Sequence, residues 1–357
     1  MEDGHIKIDD LLKLMVEKRA SDLHLRVGSP PVFRIDGALQ PLEDCPALTP
    51  EDLLSMFESM TAPEQRATFA RELELDFAYS LPGAARFRVS VLQQRGTLGI
   101  AFRLVPFGVP NIEQFKLPQI CKDLIVKPRG LILVTGPTGS GKSTTVAAMI
   151  EHLNETTSRN IITIEDPIEF LFRNKKCIIA QRDIGADTKS FESALLHSFR
   201  QNPDVIVIGE MRDLNTITTA IRAAETGHLV ISTLHTTDAA QTVDRIIDVY
   251  PSGQQNQIRL QLSQVLEGVL SQTLLPRASG KGRVAAFEIL IGTPAVRSLI
   301  RAGKTFELPN TMQLSGKNGM QTLEQALAIL VRTRVINQAE ALAASSNPAQ
   351  LSKLLQS

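Results

Sequence analysis

Residues 131–144 read LILVTGPTGSGKST. The run Leu131 to Thr135 is short, apolar and not alternating, the pattern of a strand buried on both faces of a parallel sheet. Gly136-Pro137-Thr138-Gly139-Ser140-Gly141 follows, and Lys142-Ser143-Thr144 opens a stretch of helical character. In a glycine-rich turn between strand and helix, backbone N–H groups point at phosphate oxygens and the helix N-terminus favours negative charge. In such a turn Lys142 reaches the β- and γ-phosphates and the Ser143 hydroxyl ligates Mg²⁺. Gly136, Pro137, Thr138, Gly139, Ser140, Gly141, Lys142, Ser143 and Thr144 are therefore the expected nucleotide-binding residues. The pattern alone does not say which nucleoside triphosphatase this is.

Outward from that turn, short apolar strands alternate with longer helical segments: IITIE (161–165), VIVIG (205–209), a helix from about Asn215, and HLVIST (228–233). This order predicts an α/β fold with a parallel sheet covered on both faces. From about Pro294 the chain turns helical through AVRSLIRAG, MQTLEQALAILVRT and NQAEALAAS, with Asn310 to Gly319 as a polar break. Upstream, Ile8, Leu11, Leu12, Met15 and Val16 have helical spacing, and SDLHLRVGSPPVFRIDGALQPL (21–42) alternates like paired strands around a Ser-Pro-Pro turn. RFRVSVLQQRGTLGIAFRL (86–104) reads as two strands joined near Arg95-Gly96. Pro106, Pro110 and Pro118 limit regular structure between them. The expected organisation is a small α+β domain over 1–105, a linker over 106–118, an α/β core over 119–293 and a helical region over 294–357.

The composition excludes several classes. The 357 residues hold 38 Lys+Arg and 38 Asp+Glu, so the chain is neither a basic nucleic-acid coat nor an acidic tail. Residues 1–105 carry 12 basic and 16 acidic side chains, which leaves the remainder at net +4, suited to phosphate chemistry. Only 4% of residues are aromatic, against the basic groove and stacking that single-strand binding uses. Cys45, Cys121 and Cys177 form no CxxC pair, so neither a disulfide framework nor a zinc ribbon is expected, and reduced cytosolic thiols are the simple reading. The acidic, amphipathic start is not a signal peptide, and no apolar run nears the ~18 residues of a membrane span. Membrane association is expected only through a partner.

Three further segments carry candidate chemistry. In PDVIVIGEMRD, Gly209 stands where the metal-side strand of such sites usually ends in Asp, and Glu210 follows, placed to hold Mg²⁺ through water or to polarise the attacking water. In TIEDPIE, Glu165, Asp166 and Glu169 end another apolar strand, and Pro167 forces an abrupt exit. Spacing leaves Glu165 divided between a carboxylate that activates water and a polar turn. His228 and His235 bracket a third strand; a lone histidine is more often structural, while His235 is the one placed to sense phosphate. Arg86, Arg88, Arg95 and Arg103 suit either a solvated strand face or charge stabilisation on a transferring phosphoryl group.

In order, GPTGSGKST, TIEDPIEF, NPDVIVIGEMRD and GHLVISTLHTTDA resemble the Walker A, Asp box, Walker B and His box of the secretion ATPases that power type II secretion and type IV pili. Within that superfamily the chain resembles the PilT family of pilus retraction (twitching motility) motors, over nearly its whole length. AVRSLIRAG is similar to a C-terminal motif of the family, with Ala302 in place of its terminal acid. The four-cysteine zinc module and longer N-terminal region of extension and secretion motors are missing, which favours retraction. The resemblance implies a PAS-like N-terminal α+β domain, then a RecA-like P-loop ATPase domain with a helical C-terminal region. It implies ATP and Mg²⁺ as ligands, with Glu165 as catalytic carboxylate and Glu210 as the Walker B glutamate at the metal with Ser143. His228 and His235 match the His-box positions, Arg88 and Arg103 the arginines that reach bound nucleotide, and Arg95 less closely. The implied assembly is a homo-hexamer in the cytoplasm, peripheral to the inner membrane, acting on a platform protein and through it on pilins, without nucleic acid or zinc. Alternatives are an accessory retraction ATPase of the PilU type and a non-motor or nucleic-acid-linked RecA-like NTPase.

Overall fold

The computed structural model describes residues 7–82, 85–105, 108–109 and 111–356. Two compact units emerge: Met1–Gly108 with Pro167–Leu171, and Val109–Asp166 with Phe172–Ser357. In the first, strands β1 (Asp22–Arg26), β2 (Val32–Ile35), β3 (Ala38–Pro41), β4 (Glu74–Leu81), β5 (Ala85–Gln94) and β6 (Thr97–Val105) form an antiparallel sheet in the order β3-β2-β1-β6-β5-β4. Alternation decides its faces. Leu23, Leu25, Phe33, Phe87, Val89, Val91, Ile100 and Phe102 point into one core with the helices Ile8–Glu17, Pro50–Met60 and Pro63–Glu72, and the intervening residues leave the other face polar. The strand pair around Ser-Pro-Pro and the hairpin at Arg95-Gly96 are as the sequence predicts, with Arg95 and Gly96 both at positive φ in the turn. The helices Pro50–Met60 and Pro63–Glu72 and strand β4 were not expected. Pro106 and Pro110 of the anticipated linker lie outside the described residues; within it, Asn111 caps a short helix, Ile112–Phe115.

The second unit holds β7 (Gly130–Thr135), β8 (Asn160–Glu165), β9 (Ile178–Asp183), β10 (Val205–Ile208), β11 (Leu229–Leu234), β12 (Leu266–Pro276) and β13 (Arg283–Ile291), ordered β13-β12-β7-β11-β10-β8-β9. Every pairing is parallel except β12 with β13. Successive residues of one strand enter opposite cores: Leu131 and Leu133 one, Ile132 and Val134 the other. That double burial is why the strands read as unbroken apolar runs. The helix Lys142–Thr156 covers one face, and Leu214–Glu225, Ala239–Asp248 and Ser252–Val265 cover the other. The β12–β13 hairpin escaped the sequence reading. It supports Leu323–Arg332 and the two following helices through Leu275, Ala286, Leu327 and Leu351. The polar break expected from Asn310 is partly a helix, Leu308–Leu314, because Pro309 suits its first turn and buried Met312 draws it onto the core.

One buried carboxylate ties this lobe together. Glu288 Oε1 accepts the backbone N–H of Ala239 at 2.8 Å, and the carboxylate also accepts from the backbone of Leu323, so it faces the first turns of two helices. Burial, reinforced by the Asp238 and Glu324 charges and opposed by those two N–H bonds, pushes its pKa from an ordinary 4.5 to about 7. Between these values the unfolded chain ionises first while the folded protein keeps the proton, so this carboxyl makes stability fall as pH rises from about 4.5 to 7. Glu288→Gln removes the titration. Denaturant unfolding of variant and parent at pH 5 and pH 8 is expected to show the variant gaining on the parent with rising pH, by on the order of a few kcal/mol.

Candidate active site

The turn after β7 is shaped by positive φ at Gly136 (142°), Gly139 (79°) and Gly141 (91°). A Cβ on Gly136 would stand 2.3 Å from the Gln272 carbonyl oxygen, so the first glycine is also required by the neighbouring strand. Lys142, nearly buried, donates from Nζ to the carbonyls of Gly136 (2.8 Å) and Pro137 (3.0 Å) and so sits inside the concavity. Ser143 is exposed beside it, and the Ser140 hydroxyl is buried without a partner.

Glu165, Glu210 and His235 come from the carboxyl ends of β8, β10 and β11, which lie next to β7 in the order β7-β11-β10-β8. Thr163 Oγ1 (2.7 Å) and Gln181 Nε2 (3.2 Å) both donate to Glu165 Oε1. Gly209 donates its N–H to the Ile164 carbonyl at 2.8 Å, and a Cβ on Gly209 would lie 3.3 Å from that oxygen and 3.4 Å from Glu165 Cα. A side chain at the usual Asp position would therefore need the β8 end to give by a few tenths of an ångström. Glu210 is held at both oxygens, by His235 Nε2 at 3.1 Å and Arg212 Nη2 at 2.8 Å. Burial raises the Glu210 pKa, but Arg212 and His235 outweigh it, so the carboxyl lies below its ordinary value and is ionised at neutral pH. His235 Nδ1 also lies 3.5 Å from Thr138 Oγ1, which joins the Walker B end to the phosphate turn.

The structure gathers Lys142, Thr138, Glu165, Glu210 and His235 but does not bring His228 to them. His228 precedes β11, seven residues before His235, about 23 Å away at strand rise. It packs on Phe199 (ring centroids 5.5 Å) with Nδ1 at 3.0 Å from the Ala223 carbonyl.

Arg88 and Arg103 belong to the first unit, where they are directly opposite on β5 and β6, facing away from its core. Two like charges so placed repel. Asp22 Oδ1 accepts from Arg103 Nε at 2.8 Å, and Glu169 Oε1 lies 3.5 Å from Arg88 Nη2. Arg95 is at the hairpin tip, the far end of β5 from Arg88.

Sequence reasoning missed Gln272, Thr145, Thr163, Gln181 and Arg212. Gln272 could have been noticed as a polar residue within the apolar run VLSQTLL, and Arg212 as the cation two residues after Glu210. The contacts of Thr163 and Gln181 with Glu165 depend on the pairing of β8 with β9, which has no local signature.

The type II/IV secretion system protein family matches residues 4–298. The Pseudomonas aeruginosa type IV pilus retraction ATPase PilT is 46% identical over 334 residues, 94% of this chain and 96% of that protein. The P. aeruginosa type IV pilus ATPase PilU is 42% identical over 338 residues, 95% of this chain and 88% of that protein. A crystal structure of the pilus retraction motor PilT with bound ADP superposes with a TM-score of 0.90 at 46% identity, covering 98% of this chain and 100% of that one. With its phosphate turn, acidic strand ends and full-length likeness to these ATPases, the chain belongs to the type II/IV secretion system protein family.

Proposed function

We propose that this chain is a hexameric ATP-hydrolysing motor that retracts type IV pili. The observation that carries the chemistry is the convergence of Lys142, Glu165, Glu210 and His235 at the carboxyl ends of four adjacent parallel strands. Identity of 46% with PilT against 42% with PilU supports the retraction motor over the accessory one. The first unit is assigned as PAS-like and the second as RecA-like, with 106–118 as linker and 294–357 as the helical C-terminal region.

The turn from Gly136 to Thr144 cradles the phosphates through its N–H groups, and Lys142 exchanges the carbonyls of Gly136 and Pro137 for phosphate oxygens. The donor set fits Mg²⁺: Ser143 has an exposed hydroxyl, and Glu210 is ionised. Mg²⁺ beside a nucleotide takes most of its ligands from phosphate oxygens and water, so two protein groups suffice. Ser143 directly, and Glu210 through water, would hold the ion, which when bound neutralises charge on the phosphates. Glu165, oriented by Thr163 and Gln181, accepts the proton of the attacking water. His235, hydrogen-bonded between Glu210 and Thr138, reports γ-phosphate occupancy to the Walker B end. Arg88 and Arg103 stabilise charge on the transferring phosphoryl group, exchanging their ion pairs with Glu169 and Asp22 for it. His228, at the opposite strand end against Phe199, has no part in this reading of the nucleotide site.

No helix among the described residues is long and apolar enough to cross a membrane. In this reading, which rests on the likeness to pilus retraction ATPases, the motor works from the cytoplasm on an inner-membrane platform protein and through it on pilins. Nucleic acid and zinc have no part in this reading.

Lys142→Ala is expected to abolish ATP hydrolysis; an unchanged rate would remove the site. Glu165→Gln is expected to lower kcat by about 10²–10⁴ while ADP still raises the melting temperature. Light scattering should give a mass near six times 39.1 kDa, and an active monomer would overturn the ring.

A further inference from the structure

Behind the phosphate turn lies a second set of contacts, made by a residue far away in sequence. Gln272 is 3% exposed on β12, whose parallel pairing with β7 sets Ser271 opposite Thr135 and so carries Gln272 alongside Gly136. The register slips between Leu266 and Gly268, leaving Glu267 as an extra residue. Without that bulge every later side chain of β12 would face the other way. The slip is pinned by Arg297, which donates to Glu267 Oε1 at 2.7 Å and to the Gly292 carbonyl at 2.8 Å.

Both ends of the Gln272 amide are engaged. Nε2 donates to the Ser140 carbonyl, 132 residues upstream, at 2.6 Å, and Oε1 accepts from Thr145 Oγ1 at 2.7 Å. Ser140 and Thr145 are themselves buried, so water cannot replace either bond. The turn also closes on this side chain sterically: a Cβ at Gly141 would fall 2.8 Å from Gln272 Nε2.

We propose that Gln272 is a positioning residue for the phosphate turn. By bridging the last residue before Gly141 to the first turn of the following helix, it holds the N–H groups in the curvature that receives phosphate. ATP affinity, more than the chemical step, then depends on it. The inference rests on the ATPase reading of the site.

The amide donor pattern supplies a test that simple packing does not. In Gln272→Glu a protonated carboxyl still donates to the Ser140 carbonyl and accepts from Thr145, whereas an ionised one cannot donate. Mg·ATP hydrolysis is measured between pH 6 and pH 8.5 for the parent, Gln272→Glu, Thr145→Val and Thr145→Ser. At pH 8.5 Gln272→Glu is expected to raise KM for ATP about tenfold with kcat within about twofold, and to return toward the parent's KM at pH 6. Thr145→Val is expected to raise KM at every pH, and Thr145→Ser, which keeps the hydroxyl, to restore it. Unchanged KM in Gln272→Glu and Thr145→Val, or equal loss in Gln272→Glu at both ends of the pH range, would overturn the proposal. If Gln272→Glu does not fold, the Thr145 pair decides, with equal KM in Val and Ser variants counting against it. Loss of activity in Lys142→Ala beside unaffected Gln272 and Thr145 variants would refute this inference alone, while an active Lys142→Ala would refute the site.

Discussion

A phosphate-binding turn cannot hold its own shape, because three of its residues occupy backbone conformations that only glycine adopts at little cost. What constrains it is the strand behind. The Gln272 carbonyl excludes any side chain at Gly136, and the Gln272 amide spans Ser140 and Thr145 in a dry environment. Thr135 and Ser271 add a buried hydroxyl pair at 2.8 Å just before the turn begins. Apolar packing brings β12 against β7, but these few polar contacts determine the curvature of the turn. They are short and buried, so water cannot take the place of either partner.

The acidic strand ends depend on the same scaffold. Parallel pairing aligns β7, β11, β10 and β8 so that their carboxyl ends share one edge, and side chains distant in sequence become neighbours. Glu210 then lies between a guanidinium and an imidazole, which keep it ionised despite partial burial. Gly209 donates its N–H to the Ile164 carbonyl, which ties Glu210's strand end to that of Glu165.

In the first unit, by contrast, the polar face of the sheet sets like charges side by side. Register sets Arg34 opposite Asp22, Asp22 opposite Arg103 and Arg103 opposite Arg88, so Asp22 lies between Arg34 and Arg103 while Arg88 pairs with Glu169. Burial raises the Asp22 pKa, yet the Ser21 hydroxyl and Arg103 hold it below its ordinary value. The repulsion between Arg88 and Arg103 is offset by Glu169 on one and Asp22 on the other.

The sequence by itself determined the α/β class, the phosphate turn and the acidic strand ends. Double-sided burial writes apolar runs into each strand, and glycine torsions must be encoded where they occur. The four boxes also made the family legible, since each is a local signature. Tertiary structure alone decided the place of β12 beside β7 and with it that of Gln272, the hold of Gln181 on Glu165, and the cation row across β2, β1, β6 and β5. Each of these follows from register between distant segments, and register is set by which side chains fill a shared core, not by any one segment's pattern.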